Sequence, residues 1–253
     1  MSEKKNLLSS RRWNQFPVAY TIRINKFFTE HGICSRREAD RLIESGAITI
    51  NGRVAKLGDQ VEPTDIIARE GRVIAWGKAT LYIKYHKPVG VTTTSESHVP
   101  RNIIAEIGHP ERIFPIGRLD KDSSGLILLT NDGNIVNEIL RFEFGHEREY
   151  VVQVDRPFDQ SFLDRMSHGV VILGSATKPC RTMRVGRTQF RIILTEGRNR
   201  QIRRMCQALG YRVTKLHRTR IMHITVNGLG AGSWKELTSP EREELLRAVG
   251  RQV

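Results

Sequence analysis

The residues best suited to chemistry lie in one stretch, FPIGRLDKDSSGLILLTNDG, at residues 114–133. Within it, Asp120 stands between the cations Arg118 and Lys121, and a short apolar run follows from Leu126 to Leu129. A carboxylate between a cation that can hold a phosphate and a buried strand is placed for chemistry rather than for solvation. Because most aspartates lie in turns or at the surface, the residues alone make this a hypothesis.

Two other interpretations compete for this stretch. Its polar residues match positions 1, 3, 5 and 6 of a calcium-binding loop, in the order Asp120, Asp122, Ser124 and Gly125. The match fails at position 12, where Asn131 replaces a bidentate Glu, and before the loop, where Pro115 and Gly117 replace an entering helix. The other alternative is a plain turn between two strands, which the Asp-Ser-Ser-Gly composition favours.

Length and charge limit the kind of protein this is. A chain of 253 residues with 39% apolar content is enough for one large or two modest globular domains. Its formal net charge of +14 gives salt-dependent affinity for a polyanion such as nucleic acid. An anionic membrane is the rival partner, but no apolar run approaches the roughly 20 residues that span a bilayer. The first 15 residues also lack the apolar core of a secretory signal, so we expect no membrane partner.

Cysteine usage indicates a reducing compartment. Cys34, Cys180 and Cys206 are odd in number, far apart and without a CxxC pair, which argues against a zinc site or a disulfide framework. We therefore expect reduced thiols in a cytoplasmic protein. Cys206 lies in an Arg-rich helical pattern, where a small buried residue is a better interpretation than a catalytic thiol.

The amino-terminal residues predict a flexible lead followed by two short helices. Residues 1–20 are polar, basic and without periodicity. From residue 21 the apolar spacing predicts a helix that ends at Gly32. The run Ser35-Arg36-Arg37-Glu38 is a capping box that opens a second helix.

The next residues predict a small antiparallel sheet. Asn51-Gly52 between two short strands indicates a two-residue hairpin turn, and a further strand pair is expected between Gln60 and Ala68. A short strand that holds Trp76 marks the end of this unit. The predicted domains therefore span residues 21–77 and 78–253.

The run GICSRREADRLIESGAITINGRVAKLGDQV resembles the S4 RNA-binding domain. On its second helix, Arg36, Arg37 and Arg41 lie about one turn apart and can share a face. A solvated helix face is the usual fate of such a charge run. The resemblance implies instead that these arginines contact RNA phosphates.

A second group of residues with chemical potential lies at 195–205, TEGRNRQIRRM. The helix expected after Gly197 carries four polar residues at i, i+3, i+4 and i+7, namely Arg200, Arg203, Arg204 and Gln207. A cationic helix start beside a glycine is a good anion site. His86 and His217 suggest a metal site elsewhere, but no HxH, HExxH or paired acidic spacing supports one.

Three sequences of the second predicted domain, residues 78–253, resemble the motifs of the pseudouridine synthases and occur in the same order. They are GRLDKDSSGLILLTNDG around Asp120, the REY run that ends at Tyr150, and GRNRQIRRM around Arg203. HKPVG is similar to the NKPxG opening of the same catalytic domain, with His86 in the Asn position. The likeness is to the branch that begins with an S4 domain and modifies ribosomal RNA, and within it to the type that acts on the large subunit. It implies an α+β fold whose catalytic domain is built on a mixed, mostly antiparallel sheet.

The resemblance also implies an activity, the isomerisation of uridine to pseudouridine within RNA, which uses no cofactor and no metal. Asp120 is implied as the catalytic carboxylate, Tyr150 as the residue against the target base, and Arg203 as the cation that faces Asp120. Arg118 corresponds to a residue that fills the stack vacated by the flipped base, with an ion pair to Asp122 as the alternative.

The implied partner is ribosomal RNA, with a transfer RNA left open as a second substrate, and the protein is expected to act as a monomer. RNA contacts are expected from nine arginines: Arg36, Arg37, Arg41, Arg118, Arg198, Arg200, Arg204, Arg218 and Arg220. Two other classes stay open. One is a non-catalytic S4-type RNA-binding or ribosome-assembly factor, and the other is a metal-dependent phosphodiesterase with Asp122 as its second carboxylate.

Overall fold

The computed structural model describes residues 21–62, 64–74, 80–140 and 145–251. The chain separates into two compact units, residues 1–78 and 79–253. The expected flexible lead at residues 1–20 and the expected strand position of Trp76 lie outside the described residues, so both stay predictions.

The first unit contains two helices and two small sheets. Its elements are β1 (Ile22–Arg23), α1 (Ile24–Glu30), α2 (Arg36–Glu44), β2 (Ile48–Ile50), β3 (Arg53–Val54), β4 (Gln60–Val61), β5 (Ile67–Arg69) and β6 (Arg72–Ile74). The strand orders are β3-β2-β5-β6 and β1-β4. Phe27 and Phe28 of α1 are fully buried in the core of this unit. Both predicted helices are confirmed.

Local residues explain where these elements begin and turn. The Ser35 hydroxyl caps α2 by accepting a hydrogen bond from the backbone N–H of Glu38 at 3.2 Å. Asn51 and Gly52 have φ values of 51° and 81°, as the predicted two-residue hairpin requires. The expected pairing of strands within residues 60–68 is wrong, since β4 pairs with β1 and β5 pairs with β2. Such pairings depend on core packing that a local pattern does not contain.

The second unit is built on one large sheet. Its elements are β7 (Tyr82–Lys87), α3 (Ile103–Ile107), β8 (Phe114–Ile116), β9 (Ser124–Thr130), α4 (Gly133–Leu140), β10 (Arg148–Val154), α5 (Gln160–His168), β11 (Val171–Ile172), β12 (Ser175–Ala176), β13 (Arg181–Arg184), β14 (Gln189–Leu194), α6 (Gln201–Ala208), β15 (Val213–Ile221), β16 (Ile224–Thr225), β17 (Trp234–Glu236) and α7 (Ser239–Ala248). Nine described strands form the sheet in the order β13-β14-β10-β15-β9-β7-β17, with β16 beside β15 and β8 beside β9. Strands β9 and β15 run parallel, and the other described pairs in this sheet are antiparallel. The predicted α+β fold with a mixed, mostly antiparallel sheet is confirmed.

Three apolar cores cover this sheet. The α4/α7 core includes Leu126, Leu128, Ile139, Ile221 and Leu245. The α5/α6 core includes Val152, Phe162, Phe190, Met205 and Leu216. Along β9 the side chains alternate, so that Ile127 and Leu129 belong to a third core with Ile103 of α3. Strand β9 is therefore buried on both faces, which explains why its sequence is a continuous apolar run.

Candidate active site

The loop that carries Asp120 joins two antiparallel neighbours, β8 and β9. A Cβ at Gly125 would lie 2.2 Å from the carbonyl oxygen of Arg218, and the φ of this glycine is 111°. Only glycine therefore allows β9 to approach β15 this closely, at the point where Gly125 and Arg218 are register partners. At the other end of the loop, Gly117 has a φ of 79°, and a Cβ there would lie 2.9 Å from Leu140.

A buried lysine holds this loop from within the protein. Lys87 has no exposed surface and donates hydrogen bonds to the carbonyl oxygens of Ser123 at 2.8 Å and of Pro88 at 2.9 Å. Burial lowers the pKa of Lys87 to about 8, although the charges of Asp122 and Asp120 act in the opposite direction. The motif HKPVG gives no local sign that its lysine lies under the Asp120 loop.

Two arginines lie against the carboxylates of the loop. Arg200 Nη1 is 3.2 Å from Asp120 Oδ2, and Arg200 Nη2 is 3.4 Å from Asp122 Oδ2. Arg203 Nη2 is 3.2 Å from Asp122 Oδ2 and donates to the Asp122 carbonyl oxygen and to Ser123 Oγ, both at 3.0 Å. Arg203 Nε is 3.9 Å from Asp120 Oδ2. The carboxylate of Asp120 is thus paired more closely with Arg200 than with Arg203, which was expected to face it.

The expected place of Arg200 inside the helix is wrong, whereas its contact with RNA stays a prediction. Helix α6 begins at Gln201, and Arg200 is its N-cap with a left-handed φ of 51°. Because this residue lies outside the helix, its guanidinium meets Asp120 and Asp122 instead of continuing the row of Arg203 and Arg204. In this structure Arg200 therefore forms ion pairs with Asp120 and Asp122, and its charge is already compensated.

Asp120 and Tyr150 line the same cavity, which has a volume of about 400 Å³. Tyr150 is half-buried on β10, between Ile192 of β14 and Arg218 of β15. The apolar walls come from the two cores, with Leu194, Ile202 and Leu216 on the α5/α6 side and Leu128, Ile139 and Ile221 on the α4/α7 side. The cavity therefore lies across the sheet, between the two cores.

Two histidines pack beside the Asp120 loop. His86 Nδ1 lies 2.7 Å from the carbonyl oxygen of Leu229, His217 Nδ1 lies 2.9 Å from Ser124 Oγ, and the two ring centroids are 5.2 Å apart. Burial and the neighbouring His86 lower the pKa of His217. Within the part of the chain that the structure describes, no three His, Cys, Asp or Glu side chains are grouped to hold a metal ion. The calcium-loop interpretation is wrong, because strand β8 stands where an entering helix is required.

Five of the nine expected RNA-contacting arginines reach the surface and also have no ion pair among the described residues. Four are exposed and have no ion pair among the described residues: Arg36, Arg37, Arg41 and Arg118. Arg118 lies at the cavity, and its alternative ion pair with Asp122 is not formed in the described structure. Arg204 is half-buried and donates to the carbonyl oxygen and the Oδ1 of Asn199, at 3.0 and 3.1 Å.

The remaining arginines need correction because internal groups already bind them. Arg218 is only 3% exposed, and its Nε donates to the carbonyl oxygen of Leu126 at 2.6 Å, so a surface phosphate contact is wrong for this residue. Arg198 Nε lies 3.3 Å from the buried Glu196. Arg220 is likewise engaged, because its guanidinium is 2.9 Å from Glu147. A phosphate could reach Arg198 or Arg220 only by competing with these carboxylates.

Two further residues, Glu196 and Arg148, line the cavity, although neither was predicted to be a site residue. Glu196 is buried and accepts hydrogen bonds from Gln201 Nε2 at 2.8 Å and from the backbone N–H of Lys178 at 2.9 Å. Arg148 is also buried and lies two residues before Tyr150 on β10. The alternation of a strand is the signal that could have placed Arg148 on the face of Tyr150.

Two family models match the chain, one for RNA pseudouridylate synthases over residues 81–208 and one for the S4 domain over residues 22–67. The chain is 48% identical over 231 residues to the dual-specificity RNA pseudouridine synthase RluF of Escherichia coli, covering 90% of this chain and 80% of the relative. It is 34% identical over 236 residues to the ribosomal large subunit pseudouridine synthase B of Bacillus subtilis, covering 90% and 96% of the two chains.

A solved structure agrees with these sequence matches. The crystal structure of a pseudouridylate synthase superposes with a TM-score of 0.65 at 29% identity, covering 88% of this chain and 99% of the other. An S4 domain followed by a sheet-based catalytic domain defines an enzyme that modifies RNA. The chain belongs to the RNA pseudouridylate synthase family, as its motifs predicted.

None of the described helices has both the length and the apolar character needed to cross a membrane.

Proposed function

We propose that this protein converts a specific uridine of large-subunit ribosomal RNA to pseudouridine, with Asp120 as the catalytic carboxylate. The observation that carries the proposal is the placement of Asp120 and Tyr150 on one cavity of about 400 Å³. A space of this size is that of a small-molecule site and accepts a single nucleotide. The name of the Bacillus subtilis relative supports the large ribosomal subunit as the target. The name of the Escherichia coli relative supports a second RNA substrate, for which a transfer RNA is the candidate.

The reaction needs only groups that this site offers. The bond between the ribose and the ring nitrogen breaks, the ring turns, and carbon 5 of the ring takes the same ribose carbon. One proton leaves carbon 5 and one is gained by the freed nitrogen, so the product is an isomer and no electron donor is needed. Asp120 supplies the carboxylate, while Arg200 and Arg203, at 3.2 and 3.9 Å, attract its negative charge.

The target base must leave its stack to enter the cavity, which costs a few kcal/mol. Tyr150 is placed to stack on the base inside the cavity. Arg118 is exposed where the cavity opens, and its planar guanidinium suits the gap left in the RNA. On the first unit, the exposed Arg36, Arg37 and Arg41 provide phosphate contacts that anchor the RNA. We assign the protein to the cytoplasm as a monomer, which agrees with its three free cysteines.

The test is release of tritium from large-subunit RNA transcripts labelled at carbon 5 of uridine, with a chelator present. Release in proportion to pseudouridine formed is the expected result. RNA binding without release would make the protein an RNA-binding or assembly factor. Chain cleavage that the chelator abolishes would make it a metal-dependent phosphodiesterase.

A further inference from the structure

The floor of the cavity carries two buried arginines that the reaction as described does not use. Arg148 is 8% exposed and Arg218 is 3% exposed, and both line the cavity. Arg148 lies two positions before Tyr150 on β10, so strand alternation puts both on one face. Arg218 is the register partner of Tyr150 across β10 and β15. The two guanidinium groups therefore flank the tyrosine proposed to stack on the base.

Some N–H donors of these two arginines have no good acceptor among the described residues. Arg218 donates from Nε to Leu126, but its buried Nη2 has no acceptor among the described residues. Arg148 Nη2 donates a long hydrogen bond of 3.4 Å to the carbonyl oxygen of Ile139. Neither arginine pairs with a carboxylate in the part of the chain that the structure describes.

The two carboxylates that line the cavity are already bound by other groups. Asp120 pairs with Arg200, and Glu196 accepts from Gln201 and Arg198. The cavity floor thus holds two cations that these acids do not neutralise. Burial lowers the pKa of Arg148, and the charge of Arg218 acts in the same direction. Because buried charges need compensating partners, an acceptor brought by a ligand would relieve this arrangement.

The position of Asp120 decides which part of a nucleotide reaches the floor. The side chain of Asp120 is 31% exposed, whereas both arginines are buried. With the ribose at Asp120, the base extends into the cavity and the phosphates stay outside. The acceptors that arrive at the floor are then the two carbonyl oxygens of uracil.

We propose that Arg148 and Arg218 bind the carbonyl oxygens of the flipped uracil and select uracil against cytosine. This inference rests on the proposed function. Cytosine carries an amino group in place of the 4-carbonyl oxygen, and a guanidinium group can only donate. A site built from donors leaves two donors facing each other when cytosine enters, which is the strongest form of rejection available to a hydrogen-bonding pocket.

The direct experiment combines arginine variants with changes to single atoms of the RNA. The target uridine is replaced by 4-thiouridine, by 2-thiouridine or by cytidine in a short RNA, and dissociation constants are measured for the full chain carrying Asp120→Asn, which prevents turnover. Sulfur accepts hydrogen bonds poorly, so at least one thio change should weaken binding about tenfold. Adding Arg148→Met should weaken uridine binding by a similar factor and abolish that thio effect. The preference for uridine over cytidine should shrink by the same factor.

Two further variants keep the test decisive. Arg218→Lys is used in place of Arg218→Met, because it retains a hydrogen-bond donor where Met could prevent folding. It should change the ratio of the dissociation constants for uridine and cytidine RNA without changing the salt dependence of affinity. Arg184→Met is the matched control, because Arg184 stacks on Phe158 at 4.5 Å on edge strand β13 and should leave the base preference unchanged.

Two outcomes overturn the inference. One is a thio effect of equal size with and without Arg148. The other is a loss of affinity in Arg218→Lys that is equal for uridine and cytidine and comes with a weaker salt dependence, which would make Arg218 a phosphate contact. A parent protein that releases no tritium from any RNA would instead refute the proposed function, so the two failures are distinguishable.

Discussion

At the scale of single residues, the loop that carries Asp120 is a set of charges compensated within a few ångströms. Asp120 and Asp122 share two arginines, and the buried Lys87 holds the backbone carbonyl of Ser123, directly after Asp122. The two arginines differ in exposure, with 43% of the Arg200 side chain accessible and 13% of the Arg203 side chain. Arg203, the more buried of the two, also holds the loop backbone, so losing Arg203 should disturb the position of the Asp120 carboxylate more than losing Arg200.

Arg203→Ala should therefore lower turnover far more than RNA affinity. It removes hydrogen bonds to the Asp122 carbonyl and to Ser123 Oγ, so we expect kcat to fall about 10- to 100-fold. Lys at this position should rescue only part of the rate, because an ammonium cannot reproduce a planar fork. Single-turnover kinetics and the salt dependence of affinity check this. Normal turnover at saturation with a reduced salt slope would make Arg203 a phosphate contact.

Lys87 predicts a distinctive dependence of stability on pH. Its folded pKa of about 8 is below the unfolded value of 10.5, so between these values only the unfolded chain binds the proton. Stability should rise as pH increases through this window, by on the order of 3 kcal/mol. Lys87→Met lacks this gain. Urea unfolding of parent and variant at pH 7.5 and 10.5 measures the difference, and an equal change in both proteins would contradict the lowered pKa.

At the scale of elements, the site depends on how closely β9 approaches β15. Gly125→Ala places a Cβ 2.2 Å from backbone atoms that cannot move without breaking the parallel pair. We expect a loss of about 3 kcal/mol or more in the free energy of unfolding, together with loss of activity. Gly228→Ala is the matched control, since its φ of 70° is also left-handed but its Cβ would meet open space. It should lose about 1 to 2 kcal/mol. Equal losses in urea unfolding would show that close approach is unimportant.

Elements that depend on neighbouring residues could be predicted from the sequence, whereas features that depend on distant contacts could not. The Ser35 cap of α2 and the Asn51-Gly52 turn are local, and both are present as predicted. The position of Arg200 outside α6 was not predictable. A helical spacing does not show whether the first residue of the pattern lies inside the helix or is its N-cap. The burial of Lys87 and Arg148 depends on neighbours that lie far away in sequence, which a motif does not reveal.

In the candidate site, too, the sequence predicted the motif residues but not the contacts made between distant parts of the chain. The motifs placed Asp120 and Tyr150 together, and both line one cavity. The closer pairing of Asp120 with Arg200 than with Arg203 arises from the left-handed turn before α6. The burial of Arg218 arises from the pairing of β15 with β9 and β10, which spacing along the chain cannot show.

At the scale of the whole molecule, we expect the first unit to supply much of the RNA binding and the second unit to carry the chemistry. Each has its own apolar core, so removal of residues 1–78 should leave a folded catalytic unit. We expect the truncated protein to lose most of its affinity for ribosomal RNA and part of its site selection, since phosphate contacts position a protein without reading bases.

The full chain with Arg36, Arg37 and Arg41 all changed to Ala is the matched control for this deletion. It should reproduce much of the loss and lower the salt slope by about three, one for each phosphate contact. Filter binding over a salt series measures both quantities. Equal affinity and selectivity in the truncated protein would show that the first unit serves another partner.

Asp120 is the residue proposed to carry the chemistry, and a matched pair of variants separates its role from that of Asp122. Asp120→Asn and Asp122→Asn make the same change two residues apart, in carboxylates that both pair with Arg200 and Arg203. Pseudouridine formation is measured under single-turnover conditions with RNA affinity checked alongside. We expect Asp120→Asn to lose at least about 100-fold in rate with affinity retained. Asp122→Asn should lose less than about tenfold, as a supporting ion pair would. If Asp120→Asn forms pseudouridine at a rate similar to that of Asp122→Asn, Asp120 is not the catalytic carboxylate.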